Sequence, residues 1–138
     1  MIREIYYFLR YGPKIQKLQD ELGHVEFMKV MSRKLDADGY AKLRTRLVGD
    51  LEGDILEIGT GTGATFRYYK AKANVTAIEP DDEFRAAAEE TAKSVAAHIR
   101  VLPGAGEDLP FKDATFDTVC ASQVLCSGHC QINLARAG

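Results

Sequence analysis

The stretch Glu57-Ile58-Gly59-Thr60-Gly61-Thr62-Gly63 constrains this chain more than any other. It follows an apolar run at 54–58 that reads as a buried strand. Three alternate glycines let the backbone turn sharply and approach a ligand where any Cβ would collide. The spacing predicts a helix over 63–71, whose first N–H groups would suit a ligand carboxylate or phosphate. A second strand, 74–79, ends in Glu79, twenty residues after Gly59. In doubly wound folds an acid at that place accepts from both hydroxyls of a ribose. A glycine loop alone is a weak signal. Loop, strand context and spaced acid together point to a nucleoside-bearing ligand.

Strand and helix patterns keep alternating after the loop. An Ala/Glu-rich helix is expected over 82–97, a third strand over 98–102 and a fourth over 116–121. Such alternation with short links predicts an α/β fold, a Rossmann-like doubly wound parallel sheet. Residues 1–50 read instead as helix and form an N-terminal helical cap, with the ligand-binding domain at 51–138. Ile2, Ile5, Tyr6 and Leu9 make one apolar stripe, which Gly12-Pro13 is expected to break. Ile15, Leu18 and Leu22 make a second, interrupted at Gly23 and resumed by Phe27, Val30 and Met31. A third helix is expected from near Asp38 to Gly49. Two readings of residues 1–17 stay open. They are a plain cap helix, or, with Arg3, Arg10, Lys14 and Lys17, a peripheral membrane contact or a substrate cover that includes Tyr6, Tyr7, Phe8 and Tyr11.

Composition narrows the class. Of 138 residues, 46% are hydrophobic and 28% charged, enough for one core and too apolar for a disordered chain. No run of about 18 apolar residues marks a membrane-spanning helix. The formal charge of −2 carries no nucleic-acid footprint, so no nucleic-acid partner is expected. Cys120, Cys126 and Cys130 are odd in number and follow no secretory leader, which points to a reducing, cytoplasmic setting. Cys126, His129 and Cys130 crowd three ligands into five residues without a fourth, so no metal site is expected. His24 and His98 read as a helix-surface and a strand-edge residue.

Two nucleoside cofactors compete for the loop. NAD asks for G-x-G-x-x-G or G-x-G-x-x-A, and Gly59, Gly61 and Ala64 meet the looser form. Glu57, two residues before the first glycine, would sit beside the pyrophosphate, where like charges repel. It suits a ligand bearing an ammonium or a sulfonium. S-adenosylmethionine has both and is the favoured cofactor.

EIGTGTG, then AIEPD at 77–81, GAGEDLPF at 104–111 and FDTV at 116–119 resemble the class I S-adenosylmethionine-dependent methyltransferases. The pattern is most like the type 11 group that includes quinone- and sterol-modifying C-methyltransferases. GAGEDLPF followed by ASQVLCS (121–127) is similar to the thiol methyltransferases. The resemblance spans roughly 39–127. It implies that Glu57 orients the methionine amino group, and that Gly59, Thr60, Gly61 and Gly63 bring backbone against methionine and ribose. It further implies that Glu79 holds the ribose hydroxyls, that Pro80 and Asp81 flank the adenine, and that Gly106, Glu107 and Asp108 lie at its edge. Leu109 would pack on the ring, and Ser122 and Gln123 would sit at the rim after the fourth strand. Ala105 departs from the pattern, since many relatives carry an aspartate there for the adenine amino group. No catalytic base is nominated.

The implied activity is methyl transfer to a small-molecule acceptor, a thiol or a hydrophobic ring carbon. A catalytically silent cofactor-binding or interaction protein is the alternative, with an NAD-binding oxidoreductase fragment behind it. The family builds seven strands and four are expected here, so the fold reads as an incomplete class I methyltransferase fold with its C-terminal half missing. A fragment of a larger enzyme, a natural truncation and a homo-oligomer joined through the exposed sheet edge stand as explanations.

Overall fold

The computed structural model describes residues 2–122, with side chains from Gly12 onward. Three helices come first: α1 (Ile2–Leu22), α2 (His24–Leu35) and α3 (Ala41–Val48). The sheet strands are β1 (Gly53–Ile58), β2 (Ala73–Ile78), β3 (His98–Leu102) and β4 (Thr118–Ala121), with α4 (Asp82–Ala92) between β2 and β3. All pairings are parallel, in the order β3-β2-β1-β4. The chain steps from β1 outward to β3 and then returns to the other side of β1. The carboxyl end of β1 is thus the switch point where open α/β sheets hold their ligands.

Side-chain alternation on β1 divides the core in two. Ile55 packs with Val75, Ala77, Phe66, Ala88 and Cys120 on one face. Leu56 and Ile58 pack with Ile78 and Leu109 on the other. Both faces are covered, as a parallel sheet requires. Glu57 shares the face of Ile55 and sits opposite Cys120 in the β1–β4 register. A carboxylate has therefore been placed inside an otherwise apolar layer.

The bounds of β1, β2 and β4 move by one or two residues, the fourth strand beginning at Thr118 instead of 116, and three helix boundaries also shift. Pro13 lies inside α1, which runs through it as one helix. Proline removes one hydrogen bond, but helix-forming residues continue on both sides and the break falls at Gly23, whose φ is 76°. The third helix, expected from near Asp38, begins at Ala41. A junction at Asp36–Tyr40, with Gly39 at φ 116°, bends the chain into α3. The helix expected over 82–97 stops at Ala92, where Ser94 turns back to bond the Thr91 carbonyl through both its N–H and its hydroxyl.

The largest correction concerns 63–71. No α-helix follows the glycine loop; turns lead to a single 3-10 turn at Phe66–Tyr68, and Tyr69 is already extended. Gly59, Gly61 and Gly63 all have positive φ, at 64°, 59° and 78°, so right-handed helix cannot start among them. The helix N-terminus expected to meet a ligand anion is therefore not formed there. At Gly63 a Cβ would stand 2.6 Å from the Phe66 ring, which fixes this residue as glycine on packing grounds as well.

Candidate functional site

A cavity of about 460 Å³ opens at the carboxyl end of β1 and β2. The glycine loop forms its floor with Gly59, Thr60, Gly61 and Thr62, and Glu57 closes it below. Glu79, Pro80, Asp81 and Phe84 form a second wall, and Gly104, Ala105, Gly106 and Glu107 a third. The helical segment contributes Met28, Ser32 and Arg44, and Ser122 comes from the end of β4. Gly59 and Thr60 both donate their N–H to the Ile78 carbonyl, at 2.9 and 3.2 Å, which seats the loop on β2. A Cβ on Gly61 would meet nothing within 4 Å. That glycine faces open cavity, in contrast to Gly63.

Two buried carboxylates define the chemistry. Glu57 is 2% exposed, and three hydroxyls donate to it. Thr60 and Thr65 donate to Oε1 at 2.8 and 2.5 Å, and Tyr69 donates to Oε2 at 2.7 Å. Burial, the largest influence, holds this carboxyl above the usual carboxylate range; the three hydroxyls and the charge of Arg44 pull it part of the way back. Tyr69 also lies 3.0 Å from the Cys120 sulfur. With the phenolic hydrogen committed to Glu57, the thiol is the donor in that contact. Burial first, then the charge of Glu57, pushes the Cys120 thiol up to about 12, so it stays protonated and unreactive.

Glu79 is held differently. Its Oε2 accepts from the Gly61 N–H at 2.8 Å and its Oε1 from the Asp81 N–H at 3.1 Å. Asp81 in turn caps α4, its Oδ1 accepting from the N–H groups of Glu83 and Phe84. The Thr91 hydroxyl lies 2.9 Å from the Thr62 carbonyl, tying α4 to the glycine loop. His24 meets Phe84 edge to face at 4.9 Å, so α2 rests against α4 across the cavity. At the far end of α2, Asp36 accepts from Arg44 Nε and from the Tyr68 hydroxyl, each at 2.8 Å.

Of the residues singled out from sequence, Glu57, Gly59, Thr60, Gly61, Glu79, Pro80, Asp81, Gly106, Glu107 and Ser122 come together on this one cavity. Gly63, Asp108 and Leu109 do not line it. Leu109 is buried with Leu56, Ile58 and Ile78 on the opposite face of the sheet, and Asp108 donates its N–H to the Ala105 carbonyl at 3.3 Å. Gln123, Cys126, His129 and Cys130 lie outside the described residues, as do the side chains of Tyr6, Tyr7, Phe8 and Tyr11. Among the described residues no cluster of His, Cys, Asp or Glu could hold a metal ion, and no helix is long and apolar enough to cross a membrane. Sequence reasoning missed Thr65, Tyr69 and Arg44. The only signal for the first two is the run of hydroxyl-bearing residues that follows a strand carrying a lone acid.

Comparison with known proteins agrees with the geometry. A family described as a methyltransferase domain matches residues 56–134. An uncharacterized methyltransferase of Staphylococcus carnosus is 38% identical over 84 residues, covering 60% of this chain and 38% of that protein. The human thiol S-methyltransferase TMT1B is 35% identical over 105 residues, covering 72% of this chain and 41% of its own length. The chain thus spans about two fifths of the curated relatives it matches. Among solved structures, a protein of Methanococcus maripaludis assigned as an S-adenosyl-L-methionine-dependent methyltransferase superposes with a TM-score of 0.66. The superposition covers 78% of this chain and 52% of that one at 16% identity, a likeness of fold alone. The match over more than half of its length, on the strands and loop that build the cavity, places this chain in the methyltransferase domain family.

Proposed function

We propose that this chain binds S-adenosylmethionine in the cavity at the β1–β2 end and takes part in methyl transfer to a small-molecule acceptor, a thiol or a hydrophobic ring carbon. The observation that carries the reading is the pair of buried carboxylates, Glu57 and Glu79, flanking an open glycine loop in one cavity. Acceptors suit hydroxyl and ammonium donors, and they repel the pyrophosphate that NAD would bring. This set of acceptors therefore fits S-adenosylmethionine. Glu79 has acceptor sites beyond those used by Gly61 and Asp81, and these suit the two ribose hydroxyls. Glu57 would face the amino group, and Pro80, Asp81, Gly106 and Glu107 would border the base. Ala105 brings no carboxylate to that border, so its polar partners there are Glu107 and backbone groups.

When bound, the cofactor supplies a sulfonium that already activates the methyl group. The protein's part is positioning and exclusion of water. The glycine loop and the two acids hold one partner, while Met28 and Ser32 on α2 form the apolar and polar wall against which an acceptor would rest. The thiol option is supported by the relatives named thiol S-methyltransferases. The test is turnover against a panel of small thiols and hydrophobic phenolic or quinol rings, read as S-adenosylhomocysteine release. Release with thiols alone supports the thiol option. Tight cofactor binding without turnover on any acceptor would favour the silent-binder alternative.

A further inference from the structure

Glu57 is an unusual acid for a ligand wall, because its own fold has already supplied it with donors. A carboxylate offers about four acceptor sites. Three are filled, two on Oε1 by Thr60 and Thr65 and one on Oε2 by Tyr69. These donors come from three places along one stretch of chain: the glycine loop, the turn after it, and the first extended residue beyond the 3-10 turn. Without them burial would push this carboxyl further above the usual carboxylate range, and an acid that keeps its proton attracts no cation. The cage therefore does two things. It offsets the cost of keeping the charge inside an apolar layer, and it leaves the remaining acceptor site on Oε2.

We propose, building on the S-adenosylmethionine reading, that Thr65 and Tyr69 are positioning residues for the cationic end of the ligand, acting through Glu57. Neither lines the cavity on the ribose or base side. Thr65 lines it beside Glu57, and Tyr69 is buried behind it with Cys120. The residues selecting for a ligand that keeps its amino-acid end are thus a threonine and a tyrosine that the glycine motif does not contain. Ribose and base are read elsewhere, by Glu79 and the β3–β4 side of the cavity.

The test compares two probes on the same chain, S-adenosylhomocysteine, which has the amino-acid end, and 5′-methylthioadenosine, which lacks it. Thr65→Val and Tyr69→Phe keep shape and remove one hydroxyl each, while Thr65→Ser keeps the hydroxyl. For Thr65→Val and Tyr69→Phe, the expected result is an affinity for S-adenosylhomocysteine weaker by about tenfold, the size of one hydrogen bond to a charged group. Affinity for 5′-methylthioadenosine stays unchanged, and Thr65→Ser behaves as wild type. Equal losses for both probes, or no loss for either, overturn the proposal, and a thermal melt of each variant shows that the fold is intact. If Thr65→Val does not fold, Tyr69→Phe, which retains the packed ring, decides by the same two probes. Wild-type chain that binds neither probe defeats the cofactor reading and this inference with it. Wild-type binding with unmoved variants defeats the inference alone.

Discussion

The carboxyl ends of β1 and β2 present one buried glutamate each to the same cavity, and they hold it by opposite means. At β1, Glu57 is gripped by three side-chain hydroxyls. At β2, Glu79 is gripped by two backbone N–H groups, from Gly61 and Asp81. Backbone donors come with the loop's shape and survive any side-chain change that preserves it. Hydroxyl donors depend on residue identity at 60, 65 and 69. The β2 acid is therefore a property of the fold, and the β1 acid a property of this sequence.

The contrast breaks most violently if the loop itself cannot form. Gly63→Ala places a Cβ 2.6 Å from the Phe66 ring at a φ of 78°. Left-handed strain and overpacking together should cost about 4 kcal/mol, a large part of a domain's stability. Gly61→Ala has comparable φ but open space, so its stability cost should be only about 1 kcal/mol. Denaturant melts of the two variants, with S-adenosylhomocysteine titration of Gly61→Ala, separate the roles. Gly61→Ala should remain folded and lose most affinity, since its methyl group enters the cavity.

Next in size is the strap between the helical segment and the loop. Arg44 is buried and Asp36 half-buried, with side-chain exposures of 5% and 9%, and Tyr68 completes the contact. Asp36→Ala removes the acceptor that Arg44 and Tyr68 share and should cost about 2 kcal/mol, the size of two part-buried hydrogen bonds. Chemical denaturation measures it. A loss below about 0.5 kcal/mol, the range of exposed substitutions, would mean that the strap is idle.

The smallest effect sharpens the comparison through pH. Burial holds the folded Glu57 carboxyl above its unfolded value of about 4.3. The native state then keeps a proton that the unfolded chain releases. Glu57's contribution to stability is thus fully present below that unfolded value and lost as pH rises through the folded one. Glu57→Gln has no such proton. Its stability relative to wild type should rise across that window and level off above it, read as the difference between melting temperatures at a series of pH values. A flat difference would show that Glu57 ionises freely in the folded chain. The same variant should weaken S-adenosylhomocysteine binding, so stability and affinity move in opposite directions.

Much of the sheet was legible because strands announce themselves by short apolar runs. β3 has the expected bounds, while β1 and β2 each begin one residue earlier and β2 stops one residue short of Glu79. The glycine loop and Glu79 were legible for a different reason: positive φ and close approach leave glycine little competition. The helix over 63–71 was misread because the glycine spacing carries no information about the φ of Gly63, which bars right-handed helix through that residue, or about Tyr69, which is already extended. Thr65 and Tyr69 were invisible because their role depends on a turn that brings them back to a strand eight and twelve residues earlier. Leu109 was expected on the ligand and lies in the core, since an apolar residue near a motif satisfies either reading until its face is known.

Two buried carboxylates, one caged by hydroxyls and one clasped by backbone N–H groups, are proposed to make this cavity a site for a cationic nucleoside. Calorimetric titration with S-adenosylhomocysteine and, separately, with NAD tests it directly. A dissociation constant on the order of micromolar is expected for S-adenosylhomocysteine, with no measurable binding of NAD. Preference for NAD, or a folded chain that binds neither, would contradict it.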